Sequence, residues 1–140
     1  VEHLKDLCRV HELHVIRTPI TNEAAKHLQS LNELQLLGLT ETSITDEGLT
    51  YIMDLSQLAE LKLEGTFGGN EFTDAGLEQL IHLPALKKLN LYGSGFTDRS
   101  LSSLERMESL STLILIDTSL TSEALDRLKR TRPRLKVYGQ

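Results

Sequence analysis

The chain has 140 residues, which is the size of one domain that can bury a continuous core. Its net charge of -5 disfavours a nucleic-acid partner, because such partners are bound by a concentrated basic face. A single cysteine excludes an internal disulfide and a cysteine zinc cluster. No apolar run approaches the roughly 20 residues of a membrane helix, so we expect no membrane insertion.

One motif recurs five times along the chain. A Leu-x-Leu pair, or Leu-x-Val in the first copy, leads to a small hydroxyl residue, and these residues recur at intervals of 24, 24, 28 and 24. A hydrophobic residue, a Thr and then Asn, Asp or Ser follow. The hydroxyl residues are Thr18, Thr42, Thr66, Ser94 and Thr118. Five matched copies indicate a repeat architecture in which each unit stacks on the next.

Each copy combines two hydrophobic periods. The Leu-x-Leu part alternates with period two, as in a strand that has one buried face. The later part has helical spacing, as at Leu49, Ile52, Met53 and Leu55. The unit is therefore strand, turn and helix. The Thr-Asp pair at the junction is expected to cap the first free amides of the helix.

These units resemble leucine-rich repeats, and more narrowly a subclass with the pattern G-T-x-I-T-D-x-G-L that occurs in F-box proteins and bacterial repeat proteins. Residues 44–49 and 72–77 carry the resemblance best, and it covers nearly the whole chain. It implies an α/β fold: a right-handed solenoid arc of about five repeats plus a terminal strand, with a concave parallel sheet and convex helices. Thr or Ser stands where the family has Asn or Cys, so we expect a threonine ladder between the turns.

The two ends of the chain look like incomplete units. Leu4 and Leu7 fit the helical half of a preceding unit, so residues 1–140 are expected to be a single domain within a longer protein. Residues 135–137 are interpreted as a final strand, which Pro133 separates from the last helix. The basic residues between Arg127 and Lys136 suit a cap at a helix C-terminus, and contact with an acidic partner is the alternative.

Side chains that alternate with the buried leucines are expected to form the concave surface. They align in three columns, which the final strand is expected to continue with Arg134, Lys136 and Tyr138 in turn. Toward the C-terminus they form an apolar cluster with a polar rim, which is typical of an interaction site, although these residues could also simply cover the sheet. The predicted partner-binding residues on this surface are Lys62, Glu64, Lys88, Asn90, Tyr92, Ile114, Ile116, Lys136 and Tyr138.

The third unit is four residues longer than the others, between Thr66 and Phe72. Gly68 and Gly69 permit positive φ, so we expect a loop at the C-terminal edge of the strand. Loops on a rigid scaffold often carry binding residues. Phe67 at the base of this loop is therefore a further predicted partner-binding residue, and an inward-folded Phe67 is the alternative.

No set of residues indicates catalysis. His11 and His14 are three apart on a strand and so point to opposite faces, which argues against a shared metal. The glycine pair lacks the Lys and Ser or Thr of a phosphate loop. Cys8 is interpreted as a small buried hydrophobe. We therefore predict no enzyme activity, no cofactor and no metal.

The sequence predicts a protein-interaction or scaffold module that binds a protein partner through the concave strand face and edge loops. We expect a monomer and leave weak self-association open. Resemblance to F-box proteins implies a more specific role, the substrate-recognition domain of a ubiquitin ligase. The chain could also be an accessory domain of a larger bacterial protein, or a small-ligand or carbohydrate binder that uses Asn90, Tyr92 and Tyr138.

Overall fold

A single parallel sheet runs through the part of the chain that the computed structural model describes, residues 9–66 and 72–139. Its strands follow one another in chain order, so each unit pairs only with its neighbours. The strands are β1 (Glu12–Ile16), β2 (Leu36–Thr42), β3 (Glu60–Thr66), β4 (Lys88–Tyr92), β5 (Thr112–Ile116) and β6 (Lys136–Gly139).

The connections between strands contain short helices on the opposite side of the core. The α-helices are α1 (Asn22–Ala25), α2 (Asp46–Leu49), α3 (Asp74–Gln79), α4 (Leu101–Arg106) and α5 (Ser122–Thr131). Lys26–Ser30, Leu80–His82 and Asp98–Ser100 form 3-10 helices. Helices pack about 8–10 Å apart while strands lie about 4.8 Å apart, so the sheet becomes the concave side of the arc. None of the described helices is long and apolar enough to cross a membrane.

The inward leucines of neighbouring strands lie side by side. Leu39, Leu63, Leu91 and Leu115 form one such row, and each is at most 1% exposed. On the helical side the hydrophobic residue of the Thr-Asp motif completes the core, with Phe96 fully buried. The predicted register is therefore confirmed for β1 to β5.

The predicted register of β6 is wrong. Lys136 pairs with Thr112 and Tyr138 with Ile114, so these two residues lie in the first and second columns rather than the second and third. Arg134, expected in the first column, precedes the strand. The cause is Leu135, whose N–H bonds the carbonyl of Arg132 just as Leu110 bonds Met107. Leu135 therefore occupies the position before β6 that Leu110 occupies before β5, and Val137 takes the first inward position of the strand.

A ladder of Asn and Asp side chains joins the units at the start of the helices. We name Asn22, Asp46, Asp74 and Asp98 the Asx ladder. Each member accepts the backbone N–H of the Thr in the next unit, at N···O distances of 2.7–2.9 Å. The three aspartates also accept the hydroxyl of that Thr, whereas the Asn22 amide donates to it. The ladder thus ties each helix start to the following one.

The expected helix caps are confirmed in part. Thr73, Thr97 and Thr121 accept an N–H of their own helix, whereas Thr21 and Thr45 make no such bond. The Asp of the motif accepts hydrogen bonds from the Thr of the next unit instead of capping its own helix. This position of the Asp also explains the glycine of the motif, because a Cβ at Gly76 would overlap the Asp46 carboxylate.

The predicted threonine ladder does not form at Thr18, Thr42 or Thr118. Thr42 is buried, but its hydroxyl accepts only the N–H of Ile44 within its own unit. The hydroxyl of Thr18 donates to Ile16, and that of Thr118 has no hydrogen-bond partner in the described residues. A carboxylate reaches farther than a hydroxyl and can accept two hydrogen bonds at once, which suits the Asx ladder to join one helix start to the next.

Asp74 offers a test of the ladder because it accepts three hydrogen bonds, from the Thr97 N–H, the Thr97 hydroxyl and Ser100. We expect Asp74→Ala to lower the free energy of unfolding by about 2–4 kcal/mol, since it leaves partly buried donors unpaired. Asp74→Asn should cost less, because Asn22 fills the same place in the first unit. Urea denaturation measures both. Equal stability of the alanine variant and the native chain would contradict the role given to the ladder.

Candidate functional site

The concave surface consists of the outward side chains of the strands. Tyr92 lies beside Ile116, and Ile114 lies between Asn90 and Tyr138. We name Tyr92, Ile114, Ile116 and Tyr138 the apolar patch. Three of its members are 41–54% exposed, and Ile114 is half-buried between them. The structure therefore brings the four apolar site residues together despite the changed register of β6.

Ile16 is the one further large hydrophobic residue of the described chain with comparable exposure, at 55%. It stands in the same column as Tyr92 and Ile116, but Thr40 and Glu64 separate it from them. All four strongly exposed large hydrophobics of the described residues thus lie on the concave face. Tyr51, by contrast, is half-buried on the helical side, with the Lys26 ammonium 5.7 Å from its ring centroid.

The lysines of the predicted rim are partly neutralised. The Lys88 ammonium lies 3.0 Å and the Lys62 ammonium 3.5 Å from one carboxylate oxygen of Glu60. Lys136 is exposed at the start of β6. Asn90 stands between Lys62 and Ile114, and its Oδ1 is a buried acceptor with no hydrogen-bond partner in the described residues.

Carboxylates lie at the opposite edge of the patch, where the strands end. The Tyr92 hydroxyl donates a hydrogen bond to Asp117. This bond, followed by the charge of the same carboxylate, burial and the charge of Glu64, raises the pKa of Tyr92 above its ordinary value. Glu64 accepts a hydrogen bond from the Thr40 hydroxyl at 3.1 Å. A recess of about 150 Å³ opens between Tyr92, Glu64 and Glu41.

In β1 to β5, the residue after the third outward side chain adopts a left-handed backbone. Gly65 and Gly93 do so at φ of 33° and 124°, which glycine tolerates without strain. Arg17, Glu41 and Asp117 occupy the equivalent position at φ of 48–51°, although L-residues disfavour it. Arg17 and Glu41 are paired at 3.1 Å. The sequence analysis missed Asp117, and the glycines at its equivalents were the available signal for this turn.

The remaining predicted features have mixed outcomes. Phe67, Cys8, Leu4 and Leu7 lie outside the described residues. His11 Nε2 lies 3.7 Å from a carboxylate oxygen of Glu33, and the described residues contain no group of three or more His, Cys, Asp or Glu that could hold a metal ion. Within the basic segment, the Arg132 guanidinium donates to backbone carbonyls at the end of α4 and in the turn after it, those of Leu104, Glu105, Met107, Glu108 and Leu110.

Solved structures resemble the whole chain in fold. An internalin from Listeria monocytogenes matches 100% of it at 19% identity with a TM-score of 0.65, and the tropomodulin C-terminal domain from Caenorhabditis elegans matches 95% at 18% identity, also with 0.65. The LRR protein LIC12759 of Leptospira interrogans matches 97% at 18% identity with 0.52. The chain spans 38%, 89% and 38% of these three chains.

These likenesses concern the fold. No family model matches the sequence, and a search of curated proteins finds no significant match. The six-stranded parallel sheet in chain order and its structural neighbours show that the chain is a leucine-rich-repeat solenoid.

The contact of Tyr92 with Asp117 can be measured by titration. We expect Asp117→Asn to lower the pKa of Tyr92, because the charge that favours the neutral phenol is removed while Asn still accepts the hydrogen bond. Because the pKa of Tyr92 is raised in the folded chain, this contact stabilises the fold at pH values below the ordinary tyrosine pKa. That stabilisation is lost as the pH rises through the pKa of Tyr92 in the folded chain. The tyrosine ring NMR signals report the titration. An unchanged Tyr92 pKa, equal to that of an Asp126→Asn control, would disprove the contact.

Proposed function

We propose that this chain binds a protein partner on the apolar patch of its concave face. The observation that carries the proposal is the position of the exposed hydrophobic residues, since those of the described chain all lie on the strands and three of the four belong to the patch. Tyrosine and isoleucine side chains in such a position lose unfavourable contact with water when a partner covers them.

The scaffold supports this use of the patch. The backbone of β4 and β5 is hydrogen-bonded on both sides, and the leucines beneath it are buried. The backbone that carries Tyr92, Ile114 and Ile116 is therefore held in one arrangement before a partner arrives, which reduces the entropy lost on binding. Lys62, Lys88, Asn90 and Lys136 form a polar rim on the side where the strands begin. Substrate recognition for a ubiquitin ligase would be a special case of this proposal.

Carbohydrate binding receives less support from the geometry. Tyr92 and Tyr138 lie on β4 and β6 in different columns, with Ile114 and Ile116 of β5 between them. Two strand spacings separate them by roughly 10 Å, so they do not form a single stacking cleft. The surface between them is apolar and suits the side chains of a protein.

The double substitution Tyr92→Ala with Ile116→Ala tests the proposal. We expect at least a tenfold loss of affinity for a partner captured with the native chain, because both substitutions remove the centre of the patch. Surface plasmon resonance with that partner measures the loss. Melting curves should shift little, since both side chains are solvent-exposed.

Ile16→Ala provides the matched control. It removes an isoleucine that is at least as exposed from the same column but outside the patch, so the affinity should stay within about twofold of that of the native chain. Equal affinity of the double variant and the native chain would refute the apolar patch as the binding surface. A loss of equal size in the Ile16 variant would instead assign binding to the whole concave face.

A further inference from the structure

The charges on the two sides of the apolar patch are balanced differently. On the side where the strands begin, Lys62 and Lys88 share the carboxylate of Glu60. On the side where the strands end, Glu64 and Asp117 have no Lys, Arg or His within ion-pair distance among the described residues. Their hydrogen bonds come from the neutral hydroxyls of Thr40 and Tyr92. Two uncompensated negative charges therefore border the patch on one side.

We infer that the partner presents a Lys or Arg next to an apolar side chain, so that the cation lies over Tyr92 between Glu64 and Asp117 while the apolar side chain covers Ile116. This inference rests on the proposed function of the patch. It adds the chemistry of the partner that the patch selects.

The strand register places these groups within reach of one another. Glu64, Tyr92 and Ile116 are direct neighbours on β3, β4 and β5, and Asp117 follows Ile116. Neighbouring strands are about 4.8 Å apart, so a cation above the Tyr92 ring lies close to both carboxylates. The aromatic face also attracts a cation, and Arg more often than Lys makes this contact in proteins. The recess between Thr40, Glu64 and Tyr92 gives the side chain a place to enter.

Lys136, the exposed cation of the polar rim, is too far away to neutralise Glu64 and Asp117. Lys136 lies in the first column, beside Thr112 at the beginning of β5. Asp117 follows the other end of the same strand, about 16 Å farther along at 3.3 Å per residue. Beyond a Debye length of about 8 Å in physiological salt, exposed charges are largely screened. Glu64 and Asp117 therefore present their own charge to a partner.

A displayed library of random dodecapeptides is the probe for the experiment. It is selected on the native chain and on a variant that combines Glu64→Gln with Asp117→Asn. Gln still accepts from Thr40, and Asn tolerates the left-handed backbone of position 117, so charge is the main change. The control bait combines Glu12→Gln with Asp126→Asn and loses the same charge away from the patch. A fourth bait carries Tyr92→Ala with Ile116→Ala.

On the native chain and the control bait, we expect Lys and Arg beside apolar residues to outnumber Asp and Glu by about three- to tenfold. On the Glu64 and Asp117 variant this ratio should approach one while the apolar residues stay enriched. Apolar enrichment without a basic preference on the native chain, or a basic preference equally strong on that variant, would overturn the inference and leave the proposed function standing. If the fourth bait recovers peptides as well as the native chain does, both the inference and the proposed function are overturned. The same holds if the native chain does not enrich apolar residues at all.

Discussion

The parallel register of the strands is the constraint on which the concave surface depends. Because side chains alternate along a strand, a shift of one residue would turn the leucine row of Leu63, Leu91 and Leu115 outward and bury Tyr92 and Ile116. Burial of each leucine stabilises the right register by roughly 1.5–3 kcal/mol. The Asx ladder acts at the other end of each unit, where it joins successive helix starts. Leucine stacking and carboxylate bonds thus require the same alignment of units.

Much of this arrangement could be predicted from the sequence, because strict periodicity is a local property. The Leu-x-Leu pairs at fixed intervals gave the strands, their order and the outward columns of β1 to β5. The last strand was misaligned because Leu135 and Val137 imitate a Leu-x-Leu pair, whereas Leu135 belongs to the turn before the strand. Periodicity alone cannot tell a leucine that begins a strand from one that precedes it.

The contacts between units could not be predicted in the same way. The recurring Thr-Asp pair was visible, but its hydrogen bonds join residues 23–27 positions apart, and the same residues also suit an ordinary helix cap. Asp117 was missed because it follows the strand, where the period of two ends. Its contact with Tyr92 depends on a left-handed backbone that Gly65 and Gly93 mark only in neighbouring units.

The two halves of the concave face differ in what they can bind. Toward the N-terminus, Gly38 is buried beside His14 and Thr40 is half-buried, and only Ile16 is strongly exposed and apolar there. Toward the C-terminus, the apolar patch combines large hydrophobic residues with uncompensated carboxylates on one side. Hydrophobic burial is non-directional, so it supplies affinity, whereas the carboxylates can select a partner by charge. The proposed partner surface therefore lies over β3 to β6 rather than over the whole sheet.

The isoleucine methyl groups provide the most direct test of the patch as the binding surface. Ile114 and Ile116 belong to it, whereas Ile81 is half-buried on the helical side and Ile44 is fully buried in the core. In methyl NMR spectra of the chain with a protein partner, the account predicts that the signals of Ile114 and Ile116 shift and those of Ile44 and Ile81 stay in place. A shift at Ile81 with unchanged signals at Ile114 and Ile116 would contradict it.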